Sequence, residues 1–522
     1  MARSNHTLLS SRVTSADFRV STNRRAKPRL LPAFIAVALS MAGQAMAIEN
    51  ETVDFSSDKP ASTDQHALTL PFAEAVDRTL SQNAAVDLSQ ARIAEARAAI
   101  EQANGNLLPT LDLSFGVMGS NNPLNVFGMK LQQEQASFND FGAGEFFQKL
   151  DEVGQAGALA TEPDNLNDPG WHQNVQTSLK LSIPVYNGGK IREMRTQAQA
   201  LLQAAHAGDE AARQQLVLHT VEAYAGINTA EAFVDVARKA HEAAVSFRDL
   251  SQKLYDEGVV TKADLLKAKV NLGERELDVE AARNQADNAA DGLKVLTGID
   301  STRDLEIAEV IDIALPETEL ANARERALAN NPRIQALRGN VAAARSKVDV
   351  ARAEFKPQFN LMAQQDFNSE RPGLENDSYT LGGTLSWRVL DFGARSGQVN
   401  RAQAQVNASI AERQQALDKL INQVGEVWRE ARLSERRVEI RAMAIEQSEE
   451  AVRLERLRYE QGVTTMTELL AAQTELDKAR AERVRAQFQR TMQRASLWLA
   501  LGELEPSRVS SQSKERSRND AS

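Results

Sequence analysis

Six histidines, two carboxylates at matching places and a complete lack of cysteine set the chemistry open to this 522-residue chain. A helical metal site needs two histidines on one face, as in His-x-x-x-His, and none of His6, His66, His172, His206, His219 and His241 has such a neighbour. Solvated helix faces account for His206, His219 and His241. Without cysteine there is no thiolate ligand, no disulfide and no attachment point for a lipid. No Gly-x-x-x-x-Gly-Lys-Ser/Thr loop is present to cradle a phosphate. Catalytic, cofactor-binding and metal-binding residues are therefore not expected, and an enzyme is the weaker reading.

The two carboxylates are Asp264 and Glu468, and both sit in a repeated turn. Leu254-Tyr255-Asp256-Glu257-Gly258-Val259-Val260-Thr261-Lys262-Ala263-Asp264-Leu265-Leu266 matches Arg458-Tyr459-Glu460-Gln461-Gly462-Val463-Thr464-Thr465-Met466-Thr467-Glu468-Leu469-Leu470. Gly258 and Gly462 supply the left-handed residue that ends a helix. Thr261 with Asp264, and Thr465 with Glu468, have the spacing of a capping box that starts the next one. Each turn is thus the tip of a tight helical hairpin, and capping alone explains both acids.

The elements that hold these tips come in duplicate. A shift of 248 lays Leu80 on Leu328, Asn83 on Asn331 and Pro109 on Pro357; a shift of 204 lays Gly189 on Gly393, Tyr255 on Tyr459 and Gly258 on Gly462. The difference of 44 residues places a long insertion in the first copy, read as an exposed surface loop over about 119–172 and rich in Asn, Gly and Phe. The first repeat spans 68–315, with long helices over about 189–297. The second spans 316–504, with long helices over about 393–500. Gly189 to Tyr255 and Gly393 to Tyr459 lack proline, and about 65 residues at 1.5 Å each make rods of roughly 100 Å. Rods of that length need neighbours, in a coiled-coil-like bundle or a helical barrel.

Four segments alternate with period two, at about 109–118, 174–186, 357–367 and 378–390. In the second, Val175, Leu179, Leu181, Ile183 and Val185 share a face, and Gln176, Ser178, Lys180 and Ser182 the other. A soluble half-buried sheet alternates in the same way. If the strands enter lipid they must close, and one chain has too few, since the smallest common barrels have about eight. Several copies would then share one barrel, with Tyr186, Tyr379 and Trp387 suited to its interfacial girdle.

At the N-terminus Arg24, Arg25, Lys27 and Arg29 precede an apolar run from Leu30 to Gly43 and then Ala45-Met46-Ala47. The pattern reads as a signal peptide over 1–47, with a mature chain expected from near Ile48; a short membrane anchor is the weaker reading, because an apolar run of roughly 14 residues is too short to span a bilayer as a helix. Residues 48–67 read as a flexible segment, and 505–522 as a disordered tail without apolar periodicity. Cleavage removes seven of the 61 Lys/Arg and one of the 71 Asp/Glu, leaving a formal charge of −16. Nucleic-acid binding is thereby disfavoured.

Asn331-Pro332, the Leu107-Leu108-Pro109-Thr110-Leu111 entry to the first strand, and Pro184-Val185-Tyr186-Asn187-Gly188-Gly189 complete a pattern that resembles the TolC family of outer-membrane efflux proteins from about Leu68 to Leu504. The resemblance implies a mainly α fold with a small membrane β-barrel portion. It implies a homotrimer whose chains give four strands each to a 12-stranded barrel, continuous with a 12-helix tunnel. It also implies outer-membrane lipid around the barrel, a periplasmic adaptor docked on the tips, and an inner-membrane pump of the RND, ABC or MFS class serving efflux or type I secretion. By that likeness Gly258, Val259, Thr261, Leu265, Gly462, Val463, Thr465 and Leu469 are docking candidates. Glu468, with Asp264 as its first-copy equivalent, would narrow the periplasmic aperture; Ala471 stands where some members have a further acid. The rival reading, a soluble periplasmic coiled-coil scaffold, shares the rods and the acidity but does not predict four alternating strands.

Overall fold

Asparagine, glycine and proline punctuate the chain, and helices form between them. A computed structural model describes residues 68–307 and 309–513. The first repeat opens with strand β1 (Leu68–Leu70), helix α1 (Phe72–Gln82) and helix α2 (Ala84–Gly105). Strand β2 (Thr110–Ser120) leads into α3 (Pro123–Gln132), a 3-10 turn at Phe138–Phe141, α4 (Ala143–Leu159) and α5 (Asp164–Asn167), and β3 (His172–Tyr186) follows. The rod α6 (Lys190–Asp256) and its return helix α7 (Lys262–Thr297) are joined to the second repeat by β4 (Leu305–Ile307) and β5 (Glu309–Ile313). That repeat runs α8 (Leu320–Asn330), α9 (Pro332–Ala353), β6 (Gln358–Ser369), β7 (Asp377–Ser386), α10 (Ala394–Glu460) and α11 (Met466–Leu501). A 3-10 turn at Pro506–Arg508 and β8 (Val509–Ser513) end it. The expected signal peptide over 1–47, the segment 48–67 and the tail from 514 onward lie outside the described residues.

α6 and α10 have 67 residues each, about 100 Å at 1.5 Å per residue. Each follows a left-handed glycine, Gly189 or Gly393. The 22-residue α2 and 36-residue α7 both pack on α6; placed end to end they measure about 87 Å, close to one rod. α9 and α11 stand in the same relation to α10. The break between α1 and α2 and that between α8 and α9 share an extended asparagine. Asn83 Oδ1 accepts from the Ala85 amide and Asn331 Oδ1 from the Arg333 amide, both at 3.0 Å. Side-chain capping therefore makes the break, and Pro332, at the first helical position, only reinforces it.

Midway along the rods the short elements bury the main apolar core. Leu70, Phe72, Tyr224, Leu293, Ile313 and Leu501 meet there, and the Tyr224 hydroxyl donates to Leu70 O at 2.9 Å. β1 pairs in parallel with β4, and β5 antiparallel with β8. The last pairing corrects the expectation of a disordered tail over 505–513. A β ladder needs only backbone groups, so a segment without apolar period is ordered once β5 offers its edge. Arg508 also lies over the Trp498 ring at 4.6 Å.

The main sheet has the order β2-β3-β6-β7, antiparallel throughout. Its register places Leu111, Leu113, Phe115, Leu179, Leu181, Leu381 and Leu385 on one face, and Asp112, Ser114, Ser178, Lys180, Gln364, Asp366 and Thr380 on the other. β7 stops at Ser386, short of the expected 390, because its partner Gln358 is preceded by Pro357, which has no amide to continue the ladder. The insertion is corrected as well. It is helical, and its edges are set at Ser120 and His172 by the ends of β2 and β3.

Candidate functional site at the hairpin tips and the open sheet

Both tips close by the same hydrogen bonds, one repeat apart. Val259 N–H donates to Leu254 O at 2.8 Å and Gly258 N–H to Tyr255 O at 3.0 Å; Val463 N–H donates to Arg458 O at 2.9 Å and Gly462 N–H to Tyr459 O at 3.0 Å. Gly258 and Gly462 carry φ of 77° and 70°, the left-handed geometry that makes glycine the default. At the first tip Asp264 N–H donates to Thr261 Oγ1 at 3.2 Å, and Asp264 accepts from the Thr261 hydroxyl at 2.7 Å. At the second, Glu468 accepts from the Thr465 amide at 3.1 Å and from the Thr464 hydroxyl. These bonds hold the Glu468 carboxyl below its ordinary pKa, the Thr464 hydroxyl contributing most.

The hairpins are fastened to each other. Phe247, Leu254, Ala268, Tyr459, Met466 and Leu469 form one buried cluster. The Tyr459 hydroxyl pairs with Ser251 Oγ at 2.9 Å, and Lys267 Nζ donates to Thr467 Oγ1 at 2.9 Å. The duplication fails here in side-chain detail: Tyr459 is 0% exposed, whereas its equivalent Tyr255 is 38% exposed. Among the docking candidates, Gly258, Val259, Thr261, Gly462, Val463 and Thr465 are exposed. Leu265 and Leu469 are buried and form the floor of the tip, a correction to their selection as contacts. Asp264 is half-buried and Glu468 exposed. Ser251, Thr464 and Lys267 were not selected from sequence. Ser251 aligns with Glu455 in the other repeat, so no shared motif marks it.

The second part of the site is the sheet, whose outer strands β2 and β7 each have one edge unpaired among the described residues. Its apolar face is bare: Leu113, Phe115, Val117, Leu381 and Leu385 are all exposed. Large contiguous apolar exposure of this kind marks a membrane or partner surface.

The model of the Outer membrane efflux protein family matches residues 75–299 and 323–503. The chain belongs to that family. Outer membrane efflux proteins are channels and not an enzyme family, and this member lies in the cell outer membrane with its rods extending into the periplasm. Its curated relatives include the alkaline protease secretion protein AprF of Pseudomonas aeruginosa, 25% identical over 345 residues covering 63% of this chain and 69% of AprF. The fusaric acid resistance protein FusA of Burkholderia cepacia is 26% identical over 261 residues, 47% of this chain and 48% of FusA, so that match spans about half of the relative. The fold is that of the outer membrane protein VceC of Vibrio cholerae, with a TM-score of 0.67 at 20% identity over 83% of this chain and 97% of VceC. The outer-membrane channel OprN shares it, with a TM-score of 0.66 at 20% identity over 83% and 90%.

Proposed function

We propose that three copies of this chain close one barrel and one tunnel, a passive duct into which an inner-membrane pump delivers its cargo. The observation that carries this is a four-stranded sheet with a bare apolar face and two unpaired edges. Each unsatisfied backbone group in hydrocarbon costs several kcal/mol, so the edges of β2 and β7 must pair with other copies. Two copies would make a barrel of about eight strands, which its own side chains fill; three make one of about 12, wide enough to pass cargo. Two 67-residue rods and two stacked pairs per chain then supply four staves each to the tunnel.

The hairpin tips form the periplasmic mouth in this reading. Val259 and Val463, exposed at the turns, offer an adaptor protein two apolar anchors of the same geometry. Glu468 and Asp264 cap α11 and α7 and also ring the aperture with negative charge; the family's RND, ABC and MFS pumps are the candidate energy sources. The names of the relatives cover both protein secretion and resistance to a small acid at near-equal identity, so the duct is assigned without a cargo class. The test is native mass and planar-bilayer conductance of the detergent-extracted protein. A conducting trimer supports the shared barrel; a monomer or dimer without conductance refutes the closure by three copies.

A further inference from the structure

The two strand hairpins of the sheet differ greatly at the end away from the rods. Ser369 and Asp377 are joined by seven residues, but Ser120 and His172 by 51. α2 enters β2, and β3 leaves for α6, at the opposite end, so the insertion stands at the outer mouth of the duct.

Side-chain contacts place the start of the insertion, at Gln133, on the polar face, while its last residue, Trp171, lies against Gly119 on the other. His172 and Asn174 share the polar face of β3 with Gln176 and Ser178. Gln133, which directly follows α3, donates from Nε2 to Asn174 Oδ1 at 2.9 Å, and its Oε1 lies 2.8 Å from His172 Nε2. Asn174 Nδ2 in turn donates to Asn368 Oδ1 of β6 at 2.8 Å. Gln133 is only 1% exposed. By contrast the short β6–β7 turn leans to the apolar side, where Gln173 Nε2 donates to Glu370 O at 3.1 Å. With the apolar face toward lipid, the polar face lines the lumen, and the start of the insertion lies over it.

The insertion is also built to hold a shape. Val126 and Met129 are buried, Phe127 meets Phe141 edge-on at 4.7 Å, and Lys130 pairs with Asp140 at 2.6 Å. Glu145 accepts from the Asp164 and Asn165 amides at 2.8 and 3.0 Å. Yet Leu124, Phe138, Phe147 and Leu159 are exposed, Phe138 by 88%. A barrel of about 12 strands spaced ~4.8 Å and tilted ~40° is roughly 24 Å across its backbone. Three units, each at least one helix of about 10 Å wide, fill such a ring.

Resting on the trimeric reading, we propose that the insertion is a self-association surface. Three copies fold inward over the lumen and meet through their exposed phenylalanine and leucine side chains, plugging the outer mouth. The absence of native cysteine makes the test clean. In Lys180→Cys the thiol sits on the polar face of β3, beneath the plug. On intact cells a bulky thiol reagent should label it an order of magnitude or more faster once residues 121–171 are replaced by the chain's own Glu370–Asn376 turn. In the otherwise intact chain, Phe138→Cys should cross-link between copies with a short bismaleimide. Equal labelling of Lys180→Cys in both backgrounds, or a Phe138→Cys trimer that does not cross-link, overturns the plug. If the shortened chain fails to assemble, the cross-link in the full-length chain decides alone. Native mass on the same samples keeps the readings apart: a species that is not a trimer sinks the duct, while a trimer with freely labelled Lys180→Cys sinks only the plug.

Discussion

Replacing Tyr459 by phenylalanine removes one oxygen from the centre of the tip and leaves the ring in place. Tyr459 and Ser251 are both 0% exposed, and their hydroxyls are 2.9 Å apart. Burial raises the Tyr459 pKa, so the phenol stays neutral and the bond persists across the working pH range. Losing the partner strands a buried hydroxyl at a cost of about 1–3 kcal/mol, without the ~3–5 kcal/mol cavity term of a full truncation. The bond joins α6 of one repeat to the end of α10 in the other, so the cost falls on the fastening between hairpins. The same change at Tyr255, the equivalent position, should stay within about 0.5 kcal/mol because that ring is already wet. Native-state amide exchange over 254–266 and 458–470 in the assembled protein reads the difference. Tyr459→Phe should speed local opening about 5- to 150-fold, and Tyr255→Phe hardly at all. Adding Ser251→Ala to Tyr459→Phe should restore part of the loss, since removing both partners costs less than removing one. Equal effects at the two tyrosines, or no effect at Tyr459, would refute the asymmetric clamp.

Gly502→Ala should destabilise by about 2–4 kcal/mol from overpacking and a positive φ, since a Cβ there would lie 2.6 Å from Asn331 Cα and 2.8 Å from Asn330 O; a lower heat-dissociation midpoint in detergent checks it. Arg494 holds Glu435 through two bonds of 2.6 and 2.7 Å and Asp312 at 2.8 Å. Arg494→Ala should cost about 3 kcal/mol, the low end for a broken buried pair because both acids keep some solvent, and Arg494→Lys should recover only part, since an ammonium cannot fork; the same thermal assay ranks the three chains. Glu468 has a lowered native pKa, so its contribution to the tip is present above its unfolded value and is lost as pH falls through the native one. Tip amide exchange should therefore quicken below pH ~4 in the parent, and Glu468→Gln should remove that dependence. In planar bilayers Glu468→Ala should lower cation selectivity if the carboxylate rings the aperture, and unchanged selectivity would confine it to capping.

Much of the architecture was legible because it rests on local rules. A left-handed residue at Gly258 or Gly462, a capping pair three residues later, and proline-free stretches of helix formers each act within a few residues, so each leaves its mark in the sequence. Period two assigns every strand residue to a face because the pleat alternates regardless of what lies opposite. The insertion was harder. Two of its helices have only 10 and four residues, and the third is broken at Gly154, with φ 76°, so no apolar period runs long enough to distinguish it from a surface loop.

What the sequence alone determined, then, were the duplicated order of rods, tips and strands and the polarity of the sheet, both carried by spacing along the chain, and, through motifs that resemble it, the family. Tertiary structure decided which copy of a matched pair is buried, as at Tyr459 and Tyr255. It decided that the segment from Val509 becomes a strand on β5, and that Gln133 reaches the polar face of β3. These outcomes depend on neighbours distant in sequence. Ser251 and Tyr459 are 208 residues apart, and such a meeting leaves no periodic trace in either segment.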